Sequence, residues 1–344
     1  MRFGFFDQLP CADSQSESQR FHDILAQIEL GDQLGFDTVW LGELHFGRQS
    51  SILASPLMVL AAAAQRTQRI RLGTAVTLLP LHSPVKIAEE AATADVLSGG
   101  RLEFGVGRGT APIHYTGYNV PQEESRERFE EALDVILKAW TTERLTYQGR
   151  YFQAENLAVV PKPLQKPYPP IRLAANSPDT FAIAGRLGLS IFASPLINPP
   201  EKLREYLTVH RDALKSEARQ DVALMFSVHV SDSREQARRE CEASLKNFFR
   251  AAGERLRPLG ETVVKSYEAF QQAVAKLERA TYEKVERMSV FGDPAYCRDR
   301  VRTLREEFGM DEFIGYFNQG GLVDHTVVKR SMELFAREVI PYCR

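Results

Sequence analysis

Residues Ile70–Gly109 read IRLGTAVTLLPLHSPVKIAEEAATADVLSGGRLEFGVGRG. This stretch decides the fold. Ile70–Val76 has the short β-branched character of a strand, Pro84–Leu97 has the length and periodicity of a helix, and Arg101–Val106 is a strand again. Strand, helix, strand within so short a span is the unit from which parallel sheets are built.

The same alternation extends in both directions. Toward the N-terminus lie strands Arg2–Phe6 and Asp37–Leu41, with helices Phe21–Leu34 and Pro56–Gln65. Gly35 suits the C-terminal cap of the first helix. Toward the C-terminus come helix Glu123–Trp140, then Ile171–Ala175 with Asp179–Leu187, and Leu189–Ala193 with Glu201–Leu214. Val222–Val230 precedes a long helical stretch near Ser233–Arg250, and Asp311–Phe317 precedes the closing helix His325–Val339. Eight strands, each followed by a helix, predict an α/β fold of the (β/α)8 TIM-barrel type over residues 1–344 as a single domain. A doubly wound open sheet is the runner-up.

Two segments depart from this rhythm. Thr146–Pro170 contains PKPLQKPYPP and reads as a stiff, extended arm over the barrel. Residues 251–289 form a polar insertion before the last strand, read either as an active-site lid or as a peripheral helical insertion.

Composition narrows the function. The chain has 344 residues with 44% hydrophobic and 26% charged, enough apolar material for a large core. Lys plus Arg is 43 and Asp plus Glu is 45, so the net charge of −2 argues against a nucleic-acid or anionic-membrane binder. Cys11, Cys241, Cys297 and Cys343 show no pairing or zinc spacing and read as reduced thiols of a cytoplasmic protein. No apolar run has the length of a membrane span.

Barrel active sites lie where strands end at their C-terminal side. After the second strand comes GELHFGR, with Glu43, His45 and Arg48. After the third come His82 and Ser83, and after the fourth come Arg108, His114 and Tyr115. Arg108 lies between Gly107 and Gly109 and can clamp a phosphate. In Asn176-Ser177-Pro178-Asp179-Thr180, Ser177 caps a helix whose free N–H groups make an anion site, to which Thr180 adds a hydroxyl. The seven histidines show no HExxH and no helical ligand spacing, so no metal site is expected. GxSxG, GxxxxGK[ST] and a strand-following GxGxxG are missing as well, so neither a nucleophile elbow nor a nicotinamide site is evident. Phe6, Trp40, Phe46, Tyr115 and Phe192 are candidates to line an apolar pocket.

The runs FDTVWLGELHF, GTAVTLLPLHSPVKIAEEAATADVLSGGRLEFGVGRG, QEESRERF, ANSPDTFAIAGRLGL and the closing FNQGGL…KRSMELFAREVIPY resemble the bacterial luciferase-like flavin-dependent monooxygenases. The resemblance implies the same barrel. It implies FMN as cofactor, bound as FMNH2, with its phosphate on Arg108, Ser177 and Thr180. Ala75 and Val76 match a non-proline cis peptide beside the isoalloxazine, and Gly107 and Asn176 also match flavin-contact positions. The implied reaction adds O2 to give a flavin C4a-peroxide, which oxidises a small organic substrate. A separate NAD(P)H:flavin reductase would supply the reduced flavin.

The luciferases read Glu-His-His-Phe where this chain has Glu43-Leu44-His45-Phe46. The proton-transfer role therefore passes to His45 beside Glu43, or catalysis rests on the flavin alone. An F420-dependent oxidoreductase on the same barrel and a non-catalytic flavin-binding protein are the alternatives. A homodimer through the helices after strands two and three is also implied, the first of them carrying Ala61–Ala64.

Overall fold

A computed structural model of the chain describes residues 1–214, 221–256 and 281–344. Its centre is a closed barrel of eight parallel strands. In chain order these are β1 (Arg2–Asp7), β2 (Thr38–Leu41), β3 (Arg71–Thr74), β4 (Leu102–Gly107), β5 (Ile171–Ala174), β6 (Ser190–Ala193), β7 (Val222–Val230) and β8 (Glu312–Tyr316). Each strand pairs with the next, and β8 pairs with β1, which closes the sheet. The TIM barrel expected from the repeat is the fold observed, and the open-sheet alternative is excluded by the β8–β1 pairing, with Phe3 opposite Phe313.

The outer strand faces pack against the surrounding helices. Phe3, Val39, Leu72 and Phe104 are buried there against residues such as Ile28, Leu60, Ala91 and Ile136. Inside, the N-terminal floor is ionic. Arg172 Nη2 lies 3.2 Å from Glu312 Oε2, and Arg2 Nη2 lies 3.0 Å from the same oxygen. Trp40 Nε1 donates to Glu312 Oε1 at 2.8 Å. Above this floor Phe6, Trp40, Ala223, Ile314 and Tyr316 form an apolar layer. Gly73 and Gly105 make room for it. A Cβ on Gly73 would lie 2.0 Å from the Trp40 ring, and one on Gly105 would lie 1.9 Å from Thr74 O and 2.8 Å from Phe192.

Element ends differ from expectation where tertiary contacts intervene. The third strand stops at Thr74. The Ala75–Val76 peptide is cis, and pairing resumes with Thr77–Leu78 beside β4. The first helix starts earlier, at Glu17, because Ser16 Oγ accepts from the Gln19 N–H. The segment 146–170 is not extended throughout. Leu145–Gln148 and Gln153–Leu157 form an antiparallel hairpin. Its turn is held by the Glu131 carboxylate, which accepts from the N–H groups of Arg150, Tyr151 and Phe152. That partner sits on the preceding helix, 19 residues before Arg150, so the pattern of the turn itself could not announce it. The helix Arg234–Leu256 runs past the expected end at Arg250. The rest of the expected lid or insertion falls partly outside the described residues, which resume in time for the helix Tyr282–Glu286 and the strand Val290–Gly292. Among the described residues no helix is long and apolar enough to cross a membrane, and all four cysteines are buried and unpaired.

Candidate functional site

One cavity opens at the C-terminal ends of β1 to β5. Gln8, Glu43, Leu44, Ala75, Val76, Gly107, Arg108, Asn176, Ser177 and Thr180 all contribute to its wall. Of the nine residues expected to bind the flavin or move its protons, all but His45 are therefore around one space; of the other strand-end candidates His114 joins them, and Arg48, His82, Ser83 and Tyr115 do not line it. Parallel strands deliver them there because every β-to-α loop leaves the barrel on the same side.

One wall is built for an anion. Ser177 caps the helix Pro178–Leu187 through the Thr180 N–H, and its Oγ lies 2.9 Å from Thr180 Oγ1. The first N–H groups of that helix carry the positive end of its dipole. Arg108 borders the same space, and so does Arg126. Arg126 pairs loosely with Glu130 at 3.6 Å and Asp179 at 3.8 Å. It was not among the expected site residues. Its signal is the helical spacing that puts Arg126, Phe129 and Glu130 on one face of the helix Ser125–Thr141. Beside this wall, a Cβ on Gly107 would lie 2.5 Å from Val76 Cγ2, so only glycine leaves the surface flat there. A phosphorylated planar heterocycle such as FMN fits this donor set: cations and a helix start for the phosphate, and a smooth strand-end surface for the ring.

A proton network occupies the opposite side. Glu43 Oε1 accepts from His45 Nε2 at 2.8 Å and from His82 Nε2 at 2.6 Å. Glu43 Oε2 accepts from the Leu78 N–H at 2.9 Å. Burial pushes the Glu43 carboxyl up, but hydrogen bonds from both histidines, the His82 charge and the Leu78 N–H outweigh it and hold the group at about 2. Burial lowers the His82 ring, yet its hydrogen bond and ion pair with Glu43 leave it raised above its ordinary value. Because Glu43 is ionised, its partner His45 carries its proton on Nε2 when neutral. Its Nδ1 then accepts from the Tyr118 hydroxyl at 3.2 Å.

His45 is itself buried and does not line the cavity; Leu44 does. His45 therefore reaches the cavity through Glu43. The trio Glu43, His45 and His82 has ligand atoms within 4.8 Å of one another, a metal-like grouping that sequence spacing did not reveal. Their oxygen and nitrogen atoms are engaged with each other.

His114 lines the cavity from the short helix Pro112–Gly117, which the strand–helix pattern did not foresee. Of the aromatic candidates, Phe6 alone contributes to the cavity wall. Trp40 and Tyr115 are buried behind it, Phe192 packs edge-on against Trp40, and Phe46 is 55% exposed. Trp40 and Phe192 point into the barrel as Phe6 does but lie below the cavity, a depth that residue type alone does not carry.

The model of the luciferase-like monooxygenase family matches residues 1–312. The chain is 33% identical over 329 residues to the 4-hydroxyprotoasukamycin monooxygenase of Streptomyces nodosus subsp. asukaensis, covering 90% of this chain and 83% of that protein. It is 27% identical over 350 residues to the oxygenase component of the flavin-dependent trigonelline monooxygenase of Acinetobacter baylyi, covering 99% and 95%. The crystal structure of the monooxygenase RslO1 from Streptomyces bottropensis superposes with a TM-score of 0.85 at 27% identity, covering 100% of both chains.

Proposed function

The chain belongs to the luciferase-like monooxygenase family, and from that premise we propose that it is an oxygenase that uses reduced FMN and O2 to oxidise a small organic substrate. A separate NAD(P)H:flavin reductase supplies the reduced flavin; the likeness to a protein named as an oxygenase component supports this. The observation that carries the reading is the single cavity in which a capped helix start and two arginines face a glycine-flat wall, with an ionised carboxylate nearby.

In this reading Arg108, Arg126, Ser177 and Thr180 hold the FMN phosphate. Ala75, Val76, Gly107 and Asn176 receive the ring. The flavin, when bound, supplies the activation of oxygen, which no protein side chain can provide. Phe6, Leu44 and Leu78 keep that side of the cavity apolar and limit water. Glu43 holds its charge at the wall. His45 and His82 fix its orientation, and protons exchange with it at His45 Nε2 and His82 Nε2. His82 is the more exposed of the two histidines and offers the route to solvent.

We also assign a homodimer joined through the helices Pro56–Ala64 and Pro84–Leu97, on which Met58, Val96 and Leu97 are exposed. The buried, unpaired cysteines support a cytoplasmic setting.

The test is a pair of titrations followed by turnover. Trp40 lies beneath the cavity, so FMN binding should quench its fluorescence, and F420 should not. Photoreduced FMN and oxygen should then give oxygenated product with an accepted substrate. Binding of F420 in preference to FMN would overturn the reading. Tight FMN binding without product from any carbonyl, aromatic or alkene substrate would move it to a flavin carrier.

A further inference from the structure

The cavity has two unlike ends. From the anion wall at the end of β5 it runs past β4, β3 and β2 to the end of β1, because these strands are neighbours in that order. In the oxygenase reading the flavin phosphate and ring take the ends of β5, β4 and β3. The ends of β2 and β1 are left to the substrate. They contribute Phe6, Gln8, Gly42, Glu43 and Leu44, and no cation is among them.

Gln8 is the polar residue of that end to which the oxygenase reading gives no task. It is only 8% exposed. Its Nε2 donates to Ser50 O at 3.1 Å. Only the NH2 end of an amide can donate to a carbonyl, so this bond fixes which end of the side chain is which. The other end is the carbonyl oxygen Oε1. Among the described residues no donor reaches Oε1, yet it is not sealed from solvent as His114 Nδ1 is. An unpaired, accessible oxygen on a side chain otherwise buried in the cavity wall faces the cavity.

The surrounding backbone holds it in place. Leu9, the next residue, has φ 52°, a left-handed conformation that costs energy in a leucine. Its N–H donates to Asp7 Oδ1 at 2.6 Å, and Asp7 Oδ2 pairs with buried Arg20 Nη2 at 2.5 Å. The same loop is stitched to the one that carries Ser50. The Ile52 N–H donates to Leu9 O at 3.0 Å, and the Cys11 N–H donates to Arg48 O at 3.1 Å. Gln8 and its anchor are therefore one rigid unit, and Oε1 is a preorganised acceptor.

The neighbours decide what it accepts from. Glu43 is ionised at the same end and repels an anionic group. Phe6 and Leu44 favour an apolar body. Once ligands displace water, an acceptor left without a donor is costly, so such a site rejects a ligand that lacks the donor.

We infer that Gln8 is a specificity-determining residue whose Oε1 accepts a hydrogen bond from a hydroxyl or amide N–H of an uncharged, otherwise apolar substrate. The inference rests on the oxygenase reading for calling that ligand the substrate, but the acceptor itself does not need flavin.

The experiment titrates the full chain by calorimetry, with and without FMN. The probes are phenol against anisole, benzyl alcohol against its methyl ether, and benzamide against N,N-dimethylbenzamide. In the hydroxyl pairs, the amide pair or both, the donor-bearing member should bind about tenfold more tightly, the worth of one hydrogen bond in a dry site. Gln8→Met should erase that preference, and so should Gln8→Asn, which is one methylene too short. Gln8→Glu retains an acceptor and should retain the preference. FMN affinity should be unchanged in Gln8→Met and Gln8→Asn. Thermal melting identifies the folded variants, and either of the first two decides. Equal binding within every pair overturns the inference, as does the absence of saturable binding. A preference that survives both Gln8→Met and Gln8→Asn overturns it too. Loss of FMN affinity in those variants overturns it by giving Oε1 to the flavin. If FMN fails to bind the wild type, the oxygenase reading falls, while titration of the free chain still decides for or against the acceptor.

Discussion

Glu43 concentrates most of the electrostatic consequence of the site. Its folded value of about 2 lies below its ordinary 4.5. Its contribution to stability is therefore complete above pH 4.5 and is lost as the pH falls through 2. The difference is worth about 3 kcal/mol. His82 works in the opposite direction: being raised, it stabilises fully below its ordinary value of 6.5 and loses that contribution as the pH rises through its folded value. Glu43→Gln should abolish most of the acid limb between pH 4.5 and 2. Urea midpoints measured across that range for both proteins check this, and identical acid limbs would refute the assignment. Nothing in GELHF says that its glutamate will meet His82, because that partner arrives from 39 residues away. Leu44 and His45 exchange the sides a reader would give them for the same reason: the turn after β2, not residue type, decides which of two neighbours faces the cavity.

At the scale of elements, the helix Pro178–Leu187 has two functions in one cap. Ser177→Ala removes the acceptor for the Thr180 N–H and should cost about 1 kcal/mol in stability. It should also weaken FMN, so fluorescence quenching and thermal melting should both shift. A change in melting alone would detach the cap from the flavin site. Strand β4 sets a different requirement. Gly105→Ala would drive a Cβ to 1.9 Å from Thr74 O, a backbone atom that cannot swing aside. Overpacking of this kind costs about 1–3 kcal/mol or more. A denaturation midpoint unchanged from wild type would contradict the packing described for the barrel interior. The cap at Ser177 could be read from Asn-Ser-Pro-Asp-Thr, since capping is local chemistry. The hairpin after the helix Ser125–Thr141 could not, since its turn is held by Glu131 from another element.

For the whole molecule, the exposed apolar residues on neighbouring helices give a test of assembly. Met58 is 72% exposed, and Val96 and Leu97 are each about half exposed. Met58→Glu places a charge in the assigned dimer face and should convert the protein to a monomer in sedimentation, with little change in its fold. A monomeric wild type would remove the proposal. Barrel closure itself shapes the active site: because β8 pairs with β1, loops distant in sequence share one rim, and the helix end carrying Arg255 comes to lie against the loop after β4.

What the amino-acid sequence determined on its own was whatever depends on neighbours along the chain: eight strand–helix repeats, the Ser177 cap, and the glycine-flanked Arg108. Each is a matter of periodicity, capping or backbone freedom within a few residues. Only the tertiary structure decided which of these features meet. It placed Arg126 beside the cap, linked Glu43 to His82, turned His45 away from the cavity, and left His114 Nδ1 buried without a hydrogen-bond partner. Burial and hydrogen-bond satisfaction are properties of positions in space, and they come into existence only when the barrel closes.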